Sequence, residues 1–238
     1  MYIDIHSHII PAIDDGAKDE EMALKMLQIA YDCGTRHIIA TPHYVLGNRF
    51  DFADIKEKCA HFNKLATDTG LNITVHPGCE VFITLELAEM YDQGVIGTLA
   101  ESCCMLVEFP VMSIPPYIDN VLYNLQLKGI TPIIAHPECN IEIQENPELM
   151  ESYIERGILS QVNSGSITGI FGMKARRTVM RLIKEGWVHF VASDAHSDTS
   201  RNPDLKNAAA IIEKKFGLKM RENLFALNAQ KYLKVTPE

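Results

Sequence analysis

Five histidines and four carboxylates stand where apolar runs of this chain give out. The opening stretch, "MYIDIHSHIIPAIDDG", carries His6, His8, Asp14 and Asp15. Later come "HIIATPHY" with His43, "HPGCE" with Glu80, "LVEFP" with Glu108, "IIAHPE" with His136 and "VASDAH" with Asp194 and His196. Alternate residues of a strand face the same way, so one His-x-His is equally a solvated strand end. Its recurrence at strand after strand points instead to metal ligation. Imidazole with carboxylate suits manganese, iron, zinc or similar cations, whereas an all-oxygen set would suit calcium or magnesium. Nine donors (His6, His8, Asp15, His43, Glu80, Glu108, His136, Asp194, His196) exceed one tetrahedral zinc site and suffice for two or three ions sharing a carboxylate. Asp14 is expected to be a loop residue or a neighbour that orients a ligand.

The other histidines read as structural. His37 and His189 fall within strand bodies or at their starts, His61 on a helix, and His76 before Pro77. The six cysteines show no CxxC pair, and a chain this long needs no disulfide framework. Cys103 and Cys104 sit at a strand start, away from the ligand-bearing ends, while Cys79 and Cys139 lie nearer to them. No cysteine is followed six residues later by the arginine that a cysteine phosphatase needs. A phosphate-binding G-x-x-x-x-G-K-[ST] loop, a dinucleotide fingerprint and a G-x-S-x-G elbow are all missing from the sequence.

Positioning these groups together requires a repeating scaffold. Short β-rich runs alternate with helical patterns: strands at "MYIDIH", "RHIIATPH", "LNITVHPGCE", "CCMLVEFP", "ITPIIAHPE", "ILSQVNSG" and "WVHFVASDAH". Helices are expected over residues 19–33, 52–68, 85–93, 117–128, 146–156 and 174–184, several stopped by glycine. Parallel barrels gather their chemistry at the C-terminal strand ends from residues distant in sequence. An open doubly wound sheet would concentrate it at one switch point. Ligand-type residues at nearly every one of seven strand ends therefore predict an α/β fold, a distorted (β/α)7 TIM-like barrel, as one domain over residues 1–238.

Composition narrows the function. A formal charge of −9 leaves no basic stripe for nucleic acid, and would repel a phosphorylated substrate unless bound cations reverse the field locally. No run approaches the roughly 18 apolar residues of a membrane span, and the first residues lack a signal peptide's pattern, so no direct membrane insertion and a cytoplasmic protein are expected.

The ordered motifs "DIHSHIIPAIDDGAKD", "HIIATPHY", "HPGCE", "LVEFP", "LYNLQLKGITPIIAHPE", "LSQVNSGSITGIFG" and "HFVASDAHSDTSR" resemble the bacterial polymerase-and-histidinol-phosphatase (PHP) class of protein tyrosine phosphatases, which act in capsular and exopolysaccharide regulation. The resemblance runs from Met1 to about Phe216. It implies a three-metal cluster, usually manganese with iron, zinc or magnesium as alternatives, that hydrolyses phosphotyrosine on the tail of a partner tyrosine kinase. Carried over motif by motif, His6, His8, Glu80 and Asp194 would hold one ion, Glu80, Glu108 and His136 a second, and Asp15, His43 and His196 a third. His43, His196 and Asp194 are the candidates for proton transfer, and Arg201 for binding phosphate. A tyrosyl oxygen leaves with a pKa near 10, which lessens the demand for a general acid.

Two departures stand out. Members of the class commonly read "AHPERN" and "GQEIR"; here Cys139 and Phe82 occupy the two arginine positions. A lost charge-assisted phosphate contact costs roughly 1.5–3 kcal/mol, which predicts weaker substrate binding with the metal site intact. Two other readings stay open: a histidinol-phosphatase-like phosphomonoesterase for small molecules, and a metal-bearing protein that binds a kinase tail with weak turnover.

Overall fold

The structure is a computed structural model that describes residues 1–45, 47 and 50–235. Nine parallel strand segments form the frame: β1 (Tyr2–Ser7), β2 (Thr35–Ala40), β3 (His43–Tyr44), β4 (Thr74–Pro77), β5 (Glu80–Phe82), β6 (Cys104–Glu108), β7 (Thr131–Ala135), β8 (Leu159–Asn163) and β9 (Phe190–Ala192). They run in the orders β1-β2-β4 and β3-β5-β6-β7-β8-β9. β2 continues into β3 and β4 into β5, so nine segments occupy seven strand positions. β9 meets β1 through a Ser7–Ala195 bridge and a 2.9 Å bond from Asp194 N–H to the His6 carbonyl. The result is the distorted seven-position barrel that the alternation predicts.

The strand interruptions differ from the uninterrupted runs expected in "RHIIATPH" and "LNITVHPGCE". The first break falls at Thr41–Pro42, where proline has no N–H to give a ladder. The second falls at Gly78–Cys79, and a Cβ on Gly78 would stand 2.7 Å from Ile39 Cγ2 and 3.2 Å from the Ala40 carbonyl. Across the gap the chains remain tied, Glu80 N–H donating to the Pro42 carbonyl at 3.1 Å. Both breaks lie just below a ligand-type residue, His43 and Glu80.

Strand burial is almost complete, as expected for parallel strands covered on both faces. Ile3, Ile5, Ile39, Leu106, Ile133, Leu159 and Phe190 form one apolar cluster, the face the strands enclose. Its lower end is plugged by Ala229, Leu233 and Val235. Ile38, Val75, Met105, Val107, Ile134 and Val191 face outward into a second cluster shared with the helices. The helices Glu20–Asp32 and Phe52–Asp68 are capped by Asp19 and Asp51, the latter in a reciprocal capping box with Asp54.

The helix expected over 146–156 is shorter, Leu149–Glu155, and a separate short helix that the sequence reading lacked, Ile141–Glu145, precedes it and ends before Pro147. A helical run from Leu218 to Leu233, including a π-type turn at Asn223–Leu227, follows the last barrel unit. Among the described residues no helix is long and apolar enough to cross a membrane.

Candidate metal centre

At the end opposite the Leu233 plug the enclosed face changes from apolar to polar. On β8 the alternation runs Leu159, Gln161, Asn163: the first packs in the enclosed core, and the other two meet the ligand-type residues. On β1 the register with β2 shifts between Asp4 and Ser7, where the strand passes from core to site. Below the site the buried Asp4 accepts the Ser193 N–H at 2.9 Å, fixing the segment that carries Asp194 to β1.

The nine predicted residues converge here. Ligand atoms lying within 4.8 Å of one another fall into four groups: His8, Asp15, His43 and His196; His6, His8 and Asp194; His6, Glu80 and His136; His43, Glu80 and Glu108. The division implied by the resemblance differs from this in several places, His6, His8 and Asp194 grouping without Glu80 and His6 joining Glu80 and His136. Glu108 stands with His43 rather than His136, and His8 also joins the group of Asp15, His43 and His196. His6 Nε2 lies 3.1 Å from Glu80 Oε2 and 3.4 Å from Asp194 Oδ1, and His8 Nε2 lies 3.3 and 3.4 Å from the same two oxygens.

The imidazoles are held in ligating orientation from behind. His6 Nδ1 faces Gln161 Oε1 at 2.9 Å, His8 Nδ1 faces Asp14 Oδ2 at 2.7 Å, and His196 Nδ1 faces the Asp194 carbonyl at 3.0 Å. Each of these acceptors takes an Nδ1–H, fixing the tautomer whose Nε2 lone pair points into the cluster. Asp194 is held in turn, its Oδ2 accepting from Asn163 Nδ2 at 2.7 Å and from Arg201 Nη2 at 2.8 Å. Asp14 also accepts the His43 N–H at 2.9 Å, so it orients two of the histidine segments at once.

Gln161, Asn163, Glu138 and Gly16 escape the sequence reading. Polar residues inside the buried run "LSQVN" are the signal that would have found the first two. Glu138, fully buried, accepts the Asn163 N–H at 2.8 Å. Gly16 is needed by contact: a Cβ there would come within 2.1 Å of the His8 carbonyl oxygen. His136 and Asp194 adopt left-handed backbone, φ +30° and +52°, where non-glycine residues cost about 1–3 kcal/mol each. Such conformations aim both side chains back over the strand ends.

Charge balance makes the pocket receptive to cations. Burial alone would raise Glu80, but the charge of His6 and the hydrogen bond from His136 outweigh it and hold the carboxyl well below the ordinary range. Asp194 is lowered likewise, burial being overcome by His6 and His8. Glu108 moves the other way, raised by burial and by the charge of Glu80. Burial would lower His8, His43 and His136, but hydrogen bonds to neighbouring carboxylates raise all three, so ion binding there would displace protons. Glu80 Oε2 is buried among three imidazole nitrogens, 2.9 Å from His43 Nδ1, 3.1 Å from His6 Nε2 and 3.3 Å from His8 Nε2, a crowding of donor atoms round one carboxylate oxygen that suits a metal ligand set. The donor set therefore fits metal ions.

A cavity of about 200 Å³ opens over the cluster, walled by Asp15, His43, Glu108, His136, Cys139 and Arg201 among others. Arg201 Nε is buried without a partner, although Nη2 is tied to Asp194. Burial pushes the Cys139 thiol far up, so it is protonated and no nucleophile. Phe82 ends β5 and does not line this cavity.

Comparison with known proteins places this geometry among relatives. Residues 2–234 match the family model described as capsular polysaccharide synthesis, CpsB/CapC. Tyrosine-protein phosphatase YwqE of Bacillus subtilis (strain 168) is 41% identical over 216 residues, 90% of this chain and 85% of that protein. Tyrosine-protein phosphatase CpsB of Streptococcus pneumoniae is 32% identical over 238 residues, covering 97% of this chain and 98% of that protein. Among solved structures, that described as YwqE from Bacillus subtilis and CpsB from Streptococcus pneumoniae, unique metal-dependent tyrosine phosphatases, superposes with a TM-score of 0.93. Its identity is 38%, covering 98% of this chain and 94% of that one.

Proposed function

Because this chain belongs to the CpsB/CapC family of capsular polysaccharide synthesis proteins, we propose that it is a metal-dependent protein tyrosine phosphatase. The observation that carries the reading is the convergence of nine imidazole and carboxylate ligands beneath a cavity walled in part by the Arg201 guanidinium. Manganese is the ion proposed for the cluster, and the tyrosine-bearing tail of a bacterial kinase that governs capsular or extracellular polysaccharide synthesis is the proposed substrate. The setting proposed is the cytoplasm.

His6, His8, Asp15, His43, Glu80, Glu108, His136, Asp194 and His196 would hold the ions. When bound, two or three divalent cations supply Lewis acidity toward the phosphoryl oxygens and make water a nucleophile at neutral pH. The chain's own residues do the rest. Arg201, braced against Asp194 and lying 5.6 Å from the Phe171 ring centroid, would offer its guanidinium on the cavity wall to a phosphoryl oxygen. Asp14 and Gln161 keep the His8 and His6 rings from rotating as charge builds in the cavity. His43 is 31% exposed, against 7% for His196 and 6% for Asp194, so of the three it is the one open to exchange a proton with the substrate. A water oxygen forms a new P–O bond as the P–O bond to the tyrosyl oxygen breaks, and that oxygen takes up a proton, leaving tyrosine and inorganic phosphate.

Purified protein with manganese should release phosphate from a phosphotyrosyl peptide, and His8→Ala or Asp194→Ala should lower kcat at least a hundredfold. Histidinol phosphate is the comparison substrate. Faster turnover of that ester would assign the site to small molecules, and peptide binding without phosphate release would leave a binding protein.

A further inference from the structure

A second cavity, of about 300 Å³, shares Arg201 and Phe171 with the metal cavity and reaches Thr168, Ile170 and Asn207. Beyond it a groove of about 370 Å³ lies between the helices Gly172–Lys184 and Lys206–Phe216, lined by Met173, Arg176, Arg177, Met180, Ile211 and Lys215. The two spaces follow one seam. Asn207, Ile211 and Lys215 are spaced i, i+4, i+8 and therefore share a helix face, as do Met173, Arg176, Arg177 and Met180 at i, i+3, i+4, i+7 on the facing helix. Arg176 folds back over Gly169, its Cδ 3.6 Å from where a Cβ would stand, beside the wall of the second cavity.

The seam is cationic in a protein of formal charge −9. The helix Gly172–Lys184 carries five basic residues and no acid. Two of the five are engaged elsewhere: Lys174 lies 3.9 Å from Glu145, and Arg181 pairs with Glu148. Among the described residues Arg176, Arg177 and Lys215 have no ion-pair partner. Glu213 is bound to Arg221 at 3.0 Å, and Asp204 in the second cavity accepts the Lys206 N–H at 2.7 Å. Methionine and isoleucine floor the groove, with Met173 58% exposed.

We infer that this seam is the docking track for an acidic stretch of the phosphotyrosine-bearing polypeptide. The inference rests on the phosphatase reading above and extends it to substrate choice. With the phosphate at Arg201, the chain leaves past Phe171 and Ile170 and runs between the two helices. The span from Asn207 to Lys215 is about 12 Å, the length of about four extended residues. Glutamates or aspartates roughly three to seven positions from the phosphotyrosine would face Arg176, Arg177 and Lys215, their neighbours resting on Met173, Met180 and Ile211. A small phosphate ester is confined to the metal cavity and never meets the seam.

The test uses the full chain with excess manganese and peptides carrying four glutamates on one side or the other of phosphotyrosine, each beside a glutamine counterpart. A phosphonate analogue of each peptide gives binding by fluorescence anisotropy. Expected are a preference of about tenfold in KM and in Kd for one glutamate peptide over its glutamine counterpart, and loss of that preference in Arg176→Glu/Arg177→Glu/Lys215→Glu. The turnover of p-nitrophenyl phosphate should be unchanged by these substitutions. Equal constants for glutamate and glutamine peptides on both sides, or a preference that survives the triple substitution, overturns the track. Binding to phosphatidylglycerol vesicles that the triple variant loses, with no peptide preference, also overturns it and assigns the seam to lipid. Absence of turnover on every ester would sink the phosphatase reading, while anisotropy would still decide whether the seam binds acidic peptide.

Discussion

Cys139 shows how much one residue decides in a site otherwise crowded with ligands. It occupies the cavity wall with Arg201, where a second guanidinium would face the phosphate. Its thiol is protonated and contributes no charge. Cys139→Arg is expected to lower the KM for a phosphotyrosyl peptide about tenfold to a hundredfold, the effect of one charge-assisted contact. Steady-state kinetics with manganese would check it, and an unchanged KM would mean that position 139 does not reach the substrate. Asp14 makes a different point at the same scale. Beside Asp15 in the sequence it is one more loop acid, yet its carboxylate holds His8 Nδ1 and the His43 N–H. Burial would raise it, but the hydrogen bond and charge of His8 draw its pKa down to about 2.

At the scale of elements, the strands end where the chemistry begins, and two of them break to allow it. Interruptions at Pro42 and Gly78, and left-handed turns at His136 and Asp194, all sit within two residues of a ligand. Regular β geometry would point successive side chains to opposite faces, so such departures let consecutive motifs aim at one point. Far from the site, His189 precedes β9, with its Nδ1 3.3 Å from the Ser160 N–H and Lys231 nearby. Burial, aided by Lys231, lowers its pKa to about 4. The folded state therefore rejects a proton that the unfolded chain binds near pH 6.5, so this contribution to stability is full above pH 6.5 and is lost as pH falls toward 4. Between pH 7 and 5 it amounts to about 2 kcal/mol. His189→Gln should remove that share of the acid destabilisation in urea unfolding, and equal pH slopes for variant and parent would refute the assignment.

For the whole molecule, one end of the barrel is plugged by Leu233 and Val235 and the other concentrates buried charge. Ions bound only by the folded state stabilise it by mass action, about 4 kcal/mol at a thousand times the dissociation constant. For a chain this long that corresponds to roughly 10 °C. Chelation should lower Tm by about that amount and manganese should restore it; a Tm indifferent to both would mean that the cluster binds no ion. The acidic-peptide track belongs to this scale too, because it needs two helices that follow different strands.

The residue types at the strand ends, the alternation of strands and helices, and the lack of a cysteine-phosphatase loop can all be read from the order of residues alone. Those features repeat locally, and period-two or helical patterning makes them legible without a fold. It took the folded chain to show that Glu108 groups with His43 rather than His136, that Gln161 and Asn163 support ligands, that Gly16 must lack a side chain, and that the helices of Asn207 and Arg176 border one seam. Three of these depend on contacts between segments far apart in the chain, and the need for Gly16 depends on how the loop after β1 folds back onto His8. Neither leaves a periodic trace in the residues themselves, since the close approach of two segments is fixed by how the whole barrel packs.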